Sequence, residues 1–78
     1  MTYTIAIIEN VHTGRKAELW SSGKWRTVWI AEGGEHYCTA KLDRDHAEQV
    51  FYKLCKYVTE YLYSYAEIVE MLKVEEAR

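Results

Sequence analysis

The stretch Cys38-Thr39-Ala40-Lys41-Leu42-Asp43-Arg44-Asp45-His46-Ala47-Glu48-Gln49-Val50-Phe51-Tyr52-Lys53-Leu54 changes its hydrophobic rhythm at Asp43. Before Asp43, apolar and polar residues alternate with the period of two that a half-buried strand requires. After it, Ala47, Val50, Phe51, Leu54, Val58, Tyr61 and Leu62 recur at spacings of three and four, which makes one apolar stripe on a helix. Asp43 stands where a short side-chain acceptor can cap the first free amides of that helix, and Asp45 with Glu48 offers a second such arrangement. The change predicts strands first and helices last.

Working back from Asp43, three turns divide the first part of the chain. Gly33-Gly34 separates a strand over His36 to Leu42 from one over Lys24 to Ala31. That third strand holds Trp25, Thr27, Val28, Trp29 and Ile30, all good strand formers. Ser22-Gly23 is read as a two-residue turn, since Gly accepts the positive φ required. His12-Thr13-Gly14 is read as a three-residue hairpin loop between strands over Tyr3 to Val11 and Lys16 to Ser21. Connections this short force neighbouring strands to be antiparallel.

Register follows from the turns. A turn at Ser22-Gly23 sets Trp20 opposite Trp25. A three-residue loop over Gly33 to Glu35 sets Ile30 opposite Cys38 and Trp29 opposite Thr39, which keeps apolar against apolar. One sheet face then carries Val28, Ile30, Cys38, Ala40 and Leu42, joined by Leu19, Ile5 and Ile7. The other carries Trp20, Trp25, Thr27, Trp29, Tyr37, Thr39 and Lys41.

Working forward from Asp43, no Pro or Gly interrupts the helical half, yet Ser64-Tyr65-Ala66-Glu67 matches the capping box, with Tyr63 and Ile68 placed as a hydrophobic staple. The reading is therefore an α+β domain over residues 1–78. It is a four-stranded antiparallel meander over about residues 3–42, a helix packed on one face over about 44–62, and a shorter C-terminal helix over about 65–76.

Composition limits the function. Net charge is −2 over 78 residues, too small for recognition of a polyanion by bulk electrostatics. Residues 1–42 hold five Lys/Arg against four Glu, and residues 43–78 hold five against eight Asp/Glu, so the acidity lies in the helical half. A hydrophobic fraction of 49% argues against disorder. Met1-Thr2-Tyr3 does not open a secretory signal, and no run approaches the ~20 apolar residues of a membrane span. A cytoplasmic protein with reduced Cys38 and Cys55 is expected. A Cys38–Cys55 disulfide would need an oxidising compartment.

Chemical constellations are weak. His36, Cys38, His46 and Cys55 do not match the spacing of zinc ligand pairs, so no metal is expected. Cys38 with His36 or His46 would be a thiol nucleophile and base, but both thiols are placed on core faces, where a thiol is inert. Gly14-Arg15-Lys16 and Gly23-Lys24 lack the glycines of a phosphate loop. No catalytic residue and no cofactor follow.

The aromatic sheet face is the one strong feature. Trp20, Trp25, Trp29 and Tyr37, flanked by Lys24 and Lys41 and by Arg26 at a strand edge, suit a protein partner, because Trp, Tyr and Arg dominate binding hot spots. The same face suits single-stranded nucleic acid through base stacking. A third reading covers it with the second helix or with another copy of the chain in a homodimer. By size and order of elements the chain resembles the small accessory proteins of phages and mobile elements. That resemblance implies a non-enzymatic protein-binding inhibitor of a larger host complex.

Overall fold

The computed structural model describes the backbone of residues 3–32 and 35–76, and the side chains of 3–32 and 40–72. It contains β1 (Tyr3–Asn10), β2 (Arg15–Ser22), β3 (Trp25–Glu32), β4 (Glu35–Asp43), α1 (Arg44–Glu60) and α2 (Tyr65–Glu76). The strands form one antiparallel sheet in the order β1-β2-β3-β4. This is the α+β meander followed by two helices that the rhythm change predicts.

Both helices lie on one face. Ala17, Leu19, Val28, Ile30, Ala40 and Leu42 from the sheet bury against Ala47, Val50, Leu54, Tyr57 and Val58 of α1 and Ile68 and Leu72 of α2. Ala6 and Ile8 pack at the margin of this core. Burial of such apolar side chains, at roughly 1.5–3 kcal/mol for each large one, is the main force holding helices to sheet.

The hairpin loops differ from expectation in detail. The first spans Val11 to Gly14, one residue longer than predicted, because Asn10 Oδ1 accepts from the amides of His12 (3.0 Å) and Thr13 (3.3 Å) and builds an Asx turn. Gly14, at φ 76°, closes it. The second turn is Gly23-Lys24 rather than Ser22-Gly23. Gly23, at φ 73°, takes the first central position, the glycine placement of a type II′ turn.

That displacement moves the register by two. Trp20 stands opposite Thr27, not Trp25, and Ser22 stands opposite Trp25. A shift of two preserves which side chains share a face, so the predicted division of β2 and β3 survives. Between β3 and β4, Ile30 opposes Cys38 and Trp29 opposes Thr39, as expected, but Ala31 then opposes His36 and Glu32 opposes Glu35. The register is thus reached through a bulge at Tyr37, not through a three-residue loop. The predicted Gly33-Gly34 turn lies outside the described residues.

β1 overturns an expectation. Thr4 opposes Trp20 but Ala6 opposes Leu19, so a bulge at Ile5 reverses the faces beyond it. Ala6 and Ile8 turn to the core, and Ile5 and Ile7, predicted there, are 45% and 50% exposed.

Asp43 caps α1: its carboxylate accepts from the His46 amide at 3.0 Å and meets His46 Nδ1 at 2.7 Å. The hydrogen bond from the His46 backbone, then that from its ring, holds the Asp43 carboxyl below the usual carboxylate range. The helix stops at Glu60 because Tyr61 enters the left-handed region, at φ 57°. Tyr61 and Leu62, predicted on the apolar stripe, are therefore exposed. Two ties hold this end. Asn10 Nδ2 donates to the Val58 carbonyl at 3.2 Å, and the Arg15 guanidinium lies 4.5 Å from the Tyr57 ring centroid and 4.0 Å from that of Tyr61.

Ser64 caps α2 as the capping box predicts. Its Oγ accepts from the Glu67 amide and donates to Glu67 Oε1, both at 3.2 Å. Ile68 and Leu72 point inward and are fully buried.

Candidate functional site

With both helices on one face, the opposite face is defined by cross-strand pairs, whose members share a side. One row runs Ile7, Glu18, Trp29 and Thr39 across the four strands. The next runs Thr4, Trp20, Thr27 and Lys41, and a third runs Ser22, Trp25 and Asp43. The alternative in which the second helix covers this face does not hold, since the described apolar residues of α2 bury beside α1.

The three tryptophans are not equivalent. Trp29 and Trp25 lie on opposite diagonals from Trp20, and the sheet brings Trp29 closer, with ring centroids 6.5 Å apart at 45°. Trp29 is 9% exposed, whereas Trp25, at the strand end, is 40% exposed. Trp20 is intermediate. Among the described residues of the predicted aromatic surface, Trp25 is exposed, Trp20 is partly so, and Trp29 is the floor.

Glu18 organises the floor. It is 5% exposed although it faces away from the helices. Its Oε2 accepts from Trp20 Nε1 at 2.8 Å, and its Oε1 meets Lys16 Nζ at 3.3 Å. A buried carboxylate without such partners would be costly, so the pairing fixes the Trp20 indole in one orientation. From sequence, Glu18 is not singled out and Ile7 falls on the core face. Glu18 was legible from its position two residues before Trp20 on the same strand, but Ile7 was hidden by the bulge.

Lys24 and Lys41 are exposed, and Lys24 Nζ lies 5.5 Å from the Trp25 ring centroid. Arg26, expected beside the tryptophans, faces the other way. It opposes Leu42, and its Nη1 donates to the buried Ser21 Oγ at 2.7 Å. The Tyr37 side chain lies outside the described residues.

Of the remaining candidates, the two whose side chains are described do not converge. His46 and Cys55 are nine residues apart on α1, which sets them on opposite sides of the helix and about 13 Å apart along it. No metal-holding group of three or more His, Cys, Asp or Glu occurs among the described residues. Cys55 is half-buried rather than enclosed, and burial still pushes its thiol pKa up. The side chains of His36 and Cys38 lie outside the described residues. A cleft of about 440 Å³ between the helices is lined by His46, Val50, Lys53, Tyr63, Glu67 and Met71. No helix among the described residues is long and apolar enough to cross a membrane.

Comparison with protein-family models, curated proteins and solved structures finds no match.

Proposed function

We propose that the chain is a non-enzymatic protein-binding module that uses the sheet face opposite its helices. The observation that carries this reading is the pairing of a rigid floor with an exposed rim. Trp29 and the Glu18–Trp20 hydrogen bond form the floor. Trp25, Ile7, Thr27 and Lys41 stand around it. Aromatic anchors that are already ordered lose little conformational freedom on binding, which favours affinity. Size and the order of elements support, within this reading, an inhibitor of a larger host complex of the kind that phages and mobile elements encode.

The test is capture of partners from host extract by the intact chain and by its Trp25→Ala variant. A protein retained by the first and lost by a folded second supports the module. Equal retention places the binding surface elsewhere.

Single-stranded nucleic acid is the second reading, favoured by Lys24 over Trp25 and Lys41 in the adjacent row. It requires that affinity for an oligonucleotide fall steeply with salt and that Lys24→Ala or Lys41→Ala flatten that slope. Salt-independent or undetectable binding rejects it.

A further inference from the structure

The sheet begins with β1, whose outer edge has no neighbouring strand among the described residues. An edge strand presents free amides and carbonyls, and proteins guard such edges with Lys, Pro, inward charges or bulges. β1 contains no Lys, Arg or Pro over its eight residues, and Glu9 is its single charge. Its one guard is the bulge at Ile5, near the strand start. Beyond it, Ala6 to Asn10 pair regularly with β2, and Ile7 projects half-exposed.

We infer that β1 pairs antiparallel with β1 of a second copy of this chain, about a two-fold axis at Ile7, to form a continuous eight-stranded sheet. The register follows from the side chains. Centring on Ile7 sets Ala6 opposite Ile8 of the second copy, small against large on the core side, and Ile7 opposite its own counterpart on the other. Centring on Ala6 would set the bulged Ile5 against Ile7 in the middle of the ladder, and centring on Ile8 would set Ile7 against Glu9 there. Centring on Ile7 keeps the central pairs apolar and leaves Ile5 and Glu9 opposite each other only at the ladder's ends. With the axis at Ile7, the two Glu9 residues are about 13 Å apart along the strands at ~3.3 Å per residue, beyond the ~8 Å screening length at physiological salt. The strand therefore complements itself without like-charge contact, as an isologous interface requires. One strand edge is less than the roughly 800 Å² per partner of a standard interface, so the association depends on concentration. This inference shares Ile7 with the proposed partner surface, but its readouts, self-association and β1 protection, need no partner and so fail separately from that reading.

The experiment is light scattering of the purified chain over a dilution series reaching about 1 mM, the weakest affinity worth the name, with hydrogen exchange of the β1 amides at both ends of the series. A monomer–dimer equilibrium is expected, with β1 amides gaining protection as concentration rises. Ile7→Lys should abolish the dimer while leaving the circular dichroism unchanged. Ile7→Cys, oxidised, should give a covalent dimer that neither the wild type nor Val11→Cys gives. The hydrogen-exchange result stands even if Ile7→Lys does not fold. A chain monomeric throughout, a dimer without protection in β1, or a dimer that survives Ile7→Lys in a folded protein overturns the inference.

Discussion

The indole nitrogen of Trp20 donates to the carboxylate of Glu18 at 2.8 Å, on the side of the sheet away from both helices. A charge is thus held under aromatic cover outside the main core. Trp20→Phe keeps the ring but removes the donor. It is expected to cost about 1–3 kcal/mol, the penalty for a buried acceptor left short of a partner. Urea unfolding measures this, and a neutral outcome would show that water already serves the carboxylate.

Trp25 and Trp29 should separate binding from folding. Trp29→Ala removes a buried ring and should cost about 3–5 kcal/mol of stability. Trp25→Ala, at the exposed strand end, should change stability by no more than about 0.5 kcal/mol, yet weaken partner binding by about 2 kcal/mol. Melting curves and titration calorimetry on the two variants provide the check. Similar stability losses in both would mean that Trp25 is as enclosed as Trp29.

Ser64→Ala should destabilise by about 1 kcal/mol, because the Glu67 amide loses its side-chain acceptor at the start of α2. Were the helical half one continuous rod, the same change would stabilise by a few tenths, since Ala is the better helix former. The sign of the shift in denaturant midpoint decides.

Alkaline pH should unfold the protein through Tyr57. Its phenol is buried and donates to Glu32, and burial first, then that hydrogen bond and the Glu32 charge, raise its pKa well above the ordinary value of 10.0. In the unfolded chain the phenol ionises near ~10. In the folded chain it keeps its proton, so the unfolded state binds fewer protons above that pH. Stability from this group is full below pH ~10 and falls as pH rises further. Tyr57→Phe should lower stability at neutral pH and flatten the decline above pH ~10, as read from urea midpoints across that range.

Helix capping was legible locally, and the exact turn spans were not. Asp43 and Ser64 cap the helices they were predicted to cap, because capping needs only one side chain and the amides two or three residues on. The turn glycines Gly14 and Gly23 both have positive φ, though each loop lies one residue from its expected span. Tyr61 escaped prediction because its left-handed backbone interrupts an apolar stripe that the sequence continues.

The sequence by itself determined the partition into strands and helices, the antiparallel order, and the side of the sheet on which the tryptophans stand. Each depends on periodicity or on short connections, which are properties of neighbouring residues. Tertiary structure alone decided that Ile5 and Ile7 face outward, that Trp20 meets Trp29, and that Glu18 is buried among them. Those outcomes turn on bulges at Ile5 and Tyr37 and on a two-residue shift of the central hairpin. A bulge costs little locally and reverses every side chain beyond it. Its position is therefore set by the summed packing of the core face against α1 and α2 and of the opposite face within itself, which no single stretch of the chain contains.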